Sequence, residues 1–342
     1  MKRSLREVGE LGMIRRIRDT TAVATPGIET GIGDDTAVLS VTPGALLLAT
    51  TDLLIEDIHF RSAWAAPRDV GWKAMAVNLS DIAAMGGRPR WALVAVAVPG
   101  ATDIDAVDAF YAGMRDAARP HEVVIVGGDT SASPNGWIVN VTLLGEHTGT
   151  PKLRSGARTG DAVAITGALG RAAAGLALLE LGPARTGPGG ISNRARAELT
   201  GAHLRPIPRL AEGRWLAGRP DVRAMIDCSD GLTTDLGHIC RESGVGARVV
   251  VDHLPVPPSV REAARALGRD ALAWATGGGE DYELLLTCDA DAVEVMAAGL
   301  RDATGTTLTV IGKVEETAAG VSYVDARGKA VSLATGYEHF HG

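Results

Sequence analysis

The order of apolar and polar residues predicts helices and strands along the whole chain. Apolar residues recur at helical spacing over 5–18, which predicts an amphipathic helix. Pro67 and Gly86-Gly87 bound an almost continuously apolar stretch, which predicts a buried helix over 67–85. A further helix is predicted over 103–118, capped by Thr102 or Asp103. The predicted strands of the first half are a pair over 38–48 turned at Pro43-Gly44, and single strands over 91–98, 123–126 and 138–144.

The polar, turn-rich stretch 148–160 interrupts this pattern, which restarts after it. A chain of 342 residues exceeds one typical core, so we predict two domains, 1–149 and 150–342. Several predicted strands follow one another through short turns, which favours an α+β fold over a doubly wound sheet. In the second domain the predicted strands are 161–166, 224–226, 247–251, 282–287 and 307–311, and the predicted helices are 171–181, 209–216, 233–242, 260–267 and 290–303.

Composition narrows the class of protein. Hydrophobic residues make up 46% and charged residues 22%, as in soluble globular proteins. The net charge of −7, without a basic stripe interleaved with aromatics, argues against a nucleic-acid partner. The longest plain apolar run, 91–98, is too short to span a membrane. The N-terminus lacks a secretory signal and the three cysteines are scattered, so we expect a cytoplasmic protein with reduced thiols.

Six aspartates stand where a carboxylate is costly, at the ends of apolar runs, after a glycine turn, or within the apolar helix. A buried carboxylate must be hydrogen-bonded, paired with a cation or bound to a metal. None of the six has a Lys or Arg beside it in sequence. Because hard cations prefer oxygen ligands, several Mg²⁺ ions are the simplest common explanation. The six are Asp35, Asp52, Asp81, Asp129, Asp227 and Asp230.

Each acidic motif also has a purely structural interpretation. Gly31-Ile32-Gly33-Asp34-Asp35 is either a capped turn or a metal site, in which either aspartate is the ligand. Thr50-Thr51-Asp52 is either a turn capped by side chains or part of a Mg²⁺ shell. His59 is more often a satisfied, partly buried residue than a functional one. Asn78 and Asp81 lie on one side of an otherwise apolar helix, which favours a functional role.

Two glycine-rich motifs allow the backbone to approach a ligand. Gly127-Gly128-Asp129-Thr130 is either a tight turn or a phosphate-binding segment whose aspartate holds the metal. Gly277–Tyr282 opens a strand and includes Glu280, a candidate hydrogen-bond acceptor. Asp227 and Asp230 precede a helix that begins near Thr233, whose N-terminus favours anions. The chain contains no GxxxxGK[ST], which excludes a P-loop, and no GxGxxG supports a dinucleotide site.

Taken in order, these motifs resemble the thiamine-monophosphate kinase family, within the aminoimidazole-ribonucleotide-synthetase-like superfamily of ATP-dependent enzymes. The resemblance implies a first domain that dimerises through its strands and a second α/β domain, with ATP at their junction. It implies metal ligands at Asp35, Thr50, Thr51, Asp52, Asp81, Asp129, Asp227 and Asp230. It implies nucleotide contacts at Tyr111, Gly128, Asp129, Arg154 and Ser229, and thiamine-phosphate contacts at His59, Glu280 and Tyr337.

The chemistry implied by the resemblance is phosphoryl transfer from ATP to thiamine monophosphate, giving thiamine diphosphate and ADP. The acceptor is already an anion, because the second pKa of a phosphate monoester is about 6, so no strong general base is required. The expected catalytic groups are Asp52, Asp81, Asp129 and Asp230, which would hold Mg²⁺ between phosphates that repel one another.

Two other functions remain open at this point. One is another enzyme of the superfamily, such as selenophosphate synthetase or aminoimidazole ribonucleotide synthetase. The former would be expected to carry a reactive cysteine near the N-terminus, whereas the first cysteine here is Cys228. The other is a non-catalytic module that binds a nucleotide or a divalent metal. The sequence leaves the segment His203-Leu204-Arg205-Pro206 without a role.

Overall fold

The computed structural model describes residues 4–21, 25–182, 190–316 and 320–333. Its internal contacts divide the chain into two compact units, and each contains its own sheet with helices. The first unit comprises residues 1–82 and 87–150, and the second comprises residues 83–86 and 151–342. The predicted α+β class is confirmed. No helix within these ranges is long and apolar enough to cross a membrane.

The first unit is built on a four-stranded sheet with the order β3-β6-β4-β5. Its elements are α1 (Leu5–Thr21), β1 (Ile28–Thr30), β2 (Val38–Leu39), β3 (Leu46–Ile55), α2 (Pro67–Ala84), β4 (Arg88–Val98), α3 (Ile104–Ala118), β5 (Val124–Ala132) and β6 (Ile138–His147). Two glycines let α2 and α3 touch through their backbones. A Cβ on Gly71 would lie 1.9 Å from the Phe110 carbonyl oxygen, and one on Gly113 would lie 1.9 Å from that of Arg68.

The two faces of this sheet differ in exposure. Side chains of a strand alternate between faces, and along β3 every second residue is exposed. Leu47 and Leu53 of β3 are 52% and 46% exposed, and Ile138 of β6 is 38% exposed. The opposite face carries buried residues such as Val94 and Val141. We call the exposed face the outer face and the other the inner face.

The second unit is built on a six-stranded sheet with the order β12-β9-β11-β7-β10-β8. Its elements are β7 (Ala162–Thr166), α4 (Arg171–Leu181), α5 (Asn193–Leu204), α6 (Leu210–Ala217), β8 (Val222–Cys228), α7 (Leu232–Ser243), β9 (Gly246–Val250), α8 (Pro258–Leu267), α9 (Ala271–Gly277), β10 (Glu283–Cys288), α10 (Val293–Thr304), β11 (Leu308–Glu315) and β12 (Val321–Val324). Helix α7 packs one face into the core of this unit through Leu232, Leu236 and Ile239.

The structure differs from the sequence prediction at β3, β5 and α5, and it contains α9, β1 and β12, which were not predicted. The predicted strand pair over 38–48 is wrong, because β2 pairs with β1 while β3 pairs with β6 over ten residues. The strand predicted over 123–126 continues to Ala132, since Gly128 adopts a φ of +151° and lets β5 stay paired with β4. A Cβ on Gly128 would lie 1.9 Å from the Val94 carbonyl oxygen. Helix α5 was not predicted.

Candidate active site

Strand β3 and helix α2 bring two predicted metal ligands together on the inner face of the first sheet. The Thr50 hydroxyl donates a hydrogen bond to the Asp81 carboxylate. Asp52 follows two residues later and therefore shares the face of Thr50. Thr51 lies on the outer face, where its hydroxyl is 3.1 Å from the Thr142 hydroxyl. A metal ion bound by the Thr50 and Asp52 side chains therefore has no access to the Thr51 hydroxyl.

Helix α2 also buries the polar side chain of Asn78, which lies on the same side of the helix as Asp81. Asn78 is fully buried, and its amide nitrogen donates to the Ala74 carbonyl oxygen at 3.1 Å. The Asn78 Oδ1 has no hydrogen-bond partner among the residues described, an arrangement that costs about 1–3 kcal/mol. An oxygen acceptor left unsatisfied beside Asp81 on the same helix side fits a site that receives a cation.

His59 has a structural hydrogen bond. Its Nδ1 accepts the Ile55 backbone N–H at 3.0 Å, so a neutral ring carries its proton on Nε2. The His59 carbonyl oxygen accepts from the buried ammonium of Lys73 at 3.4 Å. The ring is thus held in a defined orientation at the turn that follows β3. The sequence did not assign a role to Lys73.

Asp129 lies within β5 rather than after it, and it is exposed. Its Oδ1 accepts the Thr130 backbone N–H at 2.9 Å. Strands β3 and β5 are the two outer strands of the sheet, so Asp52 and Asp129 are separated by three strand spacings, about 14 Å. Mg²⁺ binds its ligands at about 2.1 Å, so a single ion could not bind both of these side chains of one chain.

The other predicted residues of the first unit occupy contrasting positions. Asp34 and Asp35 are both exposed, and the Asp34 Oδ1 accepts the Asp35 backbone N–H at 2.9 Å. Asp34 therefore caps the turn, and the exposed Asp35 remains the candidate ligand. Tyr111 is 3% exposed, and burial raises the pKa of its hydroxyl well above the usual value. Its ring packs edge-on against Phe110 at 5.3 Å, so it occupies a core position of the unit.

In the second unit, three carboxylates crowd around the start of α7. Asp227 lies in the buried part of β8, and the Asp230 backbone N–H donates to the Asp235 Oδ2 at 3.2 Å. Asp235 is 1% exposed. Burial, and then the charges of Asp227 and Asp230, raise the pKa of its carboxyl to about 8. Negative charge concentrated at a helix N-terminus fits a site that accepts a cation together with an anionic ligand.

No group of three or more His, Cys, Asp or Glu side chains in the described part of the chain is arranged to hold a metal ion. Any Mg²⁺ would therefore take one or two carboxylates here and fill its octahedral shell with hydroxyls, waters and phosphate oxygens, as Mg²⁺ commonly does. The oxygen donors of the first unit, Thr50, Asp52 and Asp81, are of the type that Mg²⁺ prefers, and so, taken by themselves, are those of the second unit, Asp227 and Asp230.

A strained loop brings Glu280 beside Ser229. The Glu280 backbone N–H donates to the Ser229 carbonyl oxygen at 2.7 Å, and that of Tyr282 donates to the Cys228 carbonyl oxygen at 2.9 Å. Glu280 and Tyr282 have left-handed φ values of +67° and +51°. Such conformations cost of order 1–3 kcal/mol each in a residue that is not glycine. A Cβ on Gly279 would lie 2.5 Å from the Ser229 carbonyl oxygen, so this close approach requires glycine.

The carboxylates next to Glu280 are bound by the surrounding helices. Asp281 accepts the backbone N–H groups of Gly170 and Ala172 at the start of α4, at 2.5 and 3.1 Å. Burial raises the pKa of the Asp281 carboxyl to about 7. Glu283 is fully buried on β10 and accepts hydrogen bonds from two arginines, Arg171 at 2.8 Å and Arg209 at 2.7 Å.

Arg154 is exposed and lies near α7 of the same unit. Burial, followed by the charges of Arg241 and Arg154, lowers the pKa of His238, whereas the charge of Asp230 acts in the opposite direction. Arg154, His238 and Asp230 therefore form one polar neighbourhood. Tyr337 lies outside the described residues. The structure thus groups Thr50, Asp52 and Asp81 in one unit, and Arg154, Asp227, Ser229, Asp230 and Glu280 in the other.

Sequence reasoning missed two parts of this arrangement. Asp235 received no role, although its spacing of five from Asp230 places it in the first turn of α7. The pair of Arg209 and Glu283 was also missed, because 74 residues separate the two partners along the chain. A charged residue at the start of a strand predicted to be buried was the available signal for Glu283.

Comparison with known proteins identifies the family. The family described as AIR synthase related protein matches through its N-terminal domain at residues 33–147 and its C-terminal domain at residues 158–325. The thiamine-monophosphate kinase of Salmonella typhimurium is 37% identical, with 97% of this chain and 98% of that protein covered.

Solved structures agree with this assignment. The thiamine-monophosphate kinase of Stenotrophomonas maltophilia superposes with a TM-score of 0.81 at 36% identity, covering 94% of this chain and 98% of that one. AaThiL complexed with AMPPCP and TMP superposes with a TM-score of 0.75 at 32% identity, covering 99% of this chain and all of that one. On the match of both domains and of nearly the full length, the chain belongs to the thiamine-monophosphate kinase family of AIR synthase related proteins.

Proposed function

We propose that this chain phosphorylates thiamine monophosphate with ATP and releases thiamine diphosphate and ADP. The observation that carries the proposal is the full-length similarity to AaThiL, whose structure holds AMPPCP and TMP, an ATP analogue and the substrate. The name shared by relatives from Salmonella typhimurium and Bacillus subtilis supports the same activity.

The residues of each unit support complementary roles. Thr50, Asp52 and Asp81 present hydroxyl and carboxylate oxygens from one surface of the first unit. Asp227 and Asp230 present carboxylates at the N-terminus of α7 in the second unit, beside Ser229. When bound there, Mg²⁺ would neutralise the charge of the two phosphate-bearing substrates and polarise the transferred phosphoryl group. The carboxylates serve as ligands and need no proton-transfer role.

The transfer itself would be in line, with the terminal phosphate oxygen of thiamine monophosphate as the attacking atom. That oxygen carries negative charge at neutral pH, because the second pKa of a phosphate monoester is about 6. A new P–O bond forms to the γ-phosphorus of ATP while the bond to the β-phosphate oxygen breaks, and ADP leaves. The protein contributes by positioning both substrates and by stabilising the spread charge of the transition state. Arg154, Gly128 and Ser229 are the proposed nucleotide contacts, and His59, Glu280 and Tyr337 are the proposed contacts with thiamine phosphate.

The activity is tested by incubating the purified chain with ATP, Mg²⁺ and thiamine monophosphate and identifying the product by mass. We expect thiamine diphosphate in step with ADP, and no steady ADP release without the acceptor. Asp81→Asn and Asp230→Asn should each lower kcat by at least about 100-fold, the scale on which loss of an electrostatic contact to the transition state acts. The control is Asp302→Asn, an exposed substitution on α10, which should leave turnover unchanged. Near-normal turnover in both site variants would refute the metal-ligand roles.

We further propose a homodimer formed through the outer face of the first sheet. Exposed Leu47, Leu53 and Ile138 support this, because a contiguous apolar surface of this kind commonly marks a protein interface. Light scattering should give twice the mass of one chain for the wild type. Leu53→Asp should shift the equilibrium to monomer, since it places a charge on that face. A wild type that stays monomeric at micromolar concentration would rule the proposal out.

We also propose that the protein works in the cytoplasm. All three thiols, Cys228, Cys240 and Cys288, are buried and unpaired, which suits a reducing compartment. Fractionation of cells that produce the protein should recover it with cytoplasmic markers, and recovery with an extracytoplasmic fraction would contradict the proposal.

A further inference from the structure

We propose that the segment His203–Arg209 is a brace that positions Glu280 for its contact with thiamine phosphate. The inference rests on the proposed function, in which Glu280 contacts the substrate. It gives a role to a segment that sequence analysis left without one. The brace binds the loop Gly278–Glu283 at two points, and both points lie within the second unit.

The first point of attachment is His203 in the last turn of α5. Its side chain is buried, and its Nδ1 lies 3.0 Å from the Glu280 Oε2. Helix α5 cannot shift easily, because it packs against α4 at Gly175. A Cβ on Gly175 would lie 2.0 Å from the Leu199 carbonyl oxygen and 3.1 Å from the His203 Cβ. The imidazole therefore reaches Glu280 from a fixed backbone position.

The second point of attachment is Arg209, just before α6. Its guanidinium donates to both carboxylate oxygens of Glu283, each at 2.7 Å. Glu283 is fully buried and stands three residues after Glu280, at the first position of β10. The bidentate geometry fixes both the position and the orientation of this carboxylate. The loop is thus held at one strained residue, Glu280, and immediately after the other, Tyr282.

The connection between the two attachment points is short and stiff. Residues Arg205–Arg209 link α5 to α6 without regular structure and include two buried prolines, Pro206 and Pro208. A proline fixes φ near −65° and restricts the residue before it to extended conformations. The distance between His203 and Arg209 is therefore constrained by the backbone. The His203 and Arg209 side chains therefore hold the loop at a fixed separation from each other.

Glu280 needs such support because its own backbone conformation is unfavourable. Its φ of +67° is left-handed, and its backbone N–H is committed to the Ser229 carbonyl oxygen. These contacts fix the main chain but leave the side-chain carboxylate to be oriented by its neighbours. His203 is one of these neighbours, with its Nδ1 3.0 Å from the Glu280 Oε2. His203 is therefore a positioning residue, which acts on the substrate through Glu280.

The experiment compares three variants of the full chain with the wild type. His203→Ala removes the contact, and His203→Asn restores an N–H donor near the position of Nδ1. Leu199→Ala, one helical turn earlier in α5 and fully buried, is the matched control for loss of stability without loss of the contact. The readouts are kcat, KM for thiamine monophosphate, KM for ATP, and hydrogen exchange of the amides in residues 278–283.

We expect His203→Ala to raise KM for thiamine monophosphate about tenfold while KM for ATP stays within about twofold, as for loss of one substrate-side contact. Hydrogen exchange in 278–283 should accelerate. His203→Asn should recover most of both effects, and Leu199→Ala should lower the unfolding temperature without changing the ratio of the two KM values.

Three results would overturn the proposal. They are equal rises in both KM values, an effect of Leu199→Ala that matches that of His203→Ala, and unchanged loop exchange in His203→Ala. If the wild type does not phosphorylate thiamine monophosphate, the proposed function fails. In that case the exchange data still decide whether His203 holds the loop.

Discussion

The buried ion pair of Arg209 and Glu283 provides the sharpest test of the energetics of the second unit. Glu283 is fully buried, and Arg209 supplies two of its hydrogen bonds while Arg171 supplies another. The nearby carboxylates of Glu283 and Glu212 outweigh the effect of burial and raise the pKa of the Arg209 guanidinium. Arg209→Met keeps most of the side-chain volume and removes the charge. The buried Glu283 carboxylate then keeps Arg171 but loses Arg209 as a positively charged partner.

The expected cost follows from this change in environment. Removing one partner of a buried pair costs about 3–5 kcal/mol, because the remaining charge stays desolvated. Arg171 and the Thr166 hydroxyl, which donates at 2.8 Å, still bind Glu283, so we expect the lower end, about 3 kcal/mol. Glu283→Gln in the Arg209→Met background removes the stranded charge. The double variant should therefore be more stable than the sum of the single effects by about 1–3 kcal/mol.

The assay is urea unfolding followed by far-UV circular dichroism, with the transition of the second unit fitted separately. Arg248→Met is the control, because its ion pair with Glu315 at 2.9 Å lies in the same unit and is largely exposed. An exposed pair contributes about 0–1 kcal/mol, so this variant should unfold close to the wild type. Equal costs for Arg209→Met and Arg248→Met, or strict additivity in the double variant, would refute the reasoning.

Further tests concern the first unit. Burial alone would raise the pKa of Glu146, but hydrogen bonds from Thr42 and the charge of Arg90 outweigh it and lower that pKa. The stabilisation by the Glu146 carboxylate is therefore complete above its unfolded pKa of about 4.3, and it is lost as pH falls through the lower folded pKa. Glu146→Gln should therefore lower the free energy of unfolding by about 1–3 kcal/mol at pH 7 and by progressively less in acid. An equal loss of stability in Glu146→Gln at pH 7 and at acidic pH would contradict this. Gly128→Ala should destabilise by more than about 3 kcal/mol, because it adds a clash to a left-handed φ. Gly149→Ala is the control, because Gly149 has a φ of +92° and open space around it, and it should cost only about 1 kcal/mol in thermal unfolding. Equal losses of stability in the two variants would show that the structure relieves the clash at residue 128.

Local signals in the sequence predicted the local parts of the fold. Helix α2 has the predicted start at Pro67, and Asp103 caps α3 by accepting the Asp105 backbone N–H at 3.1 Å. Helix α5 escaped prediction because its buried positions, Ala195, Leu199 and His203, include only one large apolar residue. The strand pair over 38–48 failed because the partner of a strand is selected by the whole sheet, and a turn alone does not determine it.

The candidate site shows the same division between local and distant information. The residue types and their order predict oxygen ligands at Asp52 and Asp81, and the structure places the Thr50 hydroxyl beside Asp81. Strand alternation, already present in the sequence, separates Thr50 from Thr51 onto opposite faces. The three-strand separation of Asp52 and Asp129 depends on sheet order, which a single sequence does not reveal. The crowding that raises the pKa of Asp235 likewise depends on the folded position of Asp227.

The distribution of cysteine gives this protein a built-in reporter of one half of its structure. All three thiols lie in the second unit and none in the first. Each is buried, and burial raises the pKa of Cys228 and Cys240 and that of Cys288 to about 12, so the folded unit presents almost no reactive thiolate. Thiol labelling therefore proceeds only when the second unit opens. Cys228 follows Asp227 in β8, and its side chain is hydrogen-bonded to Asp235, so its labelling rate reports how often that part of the site opens. Binding of nucleotide there would be seen as protection.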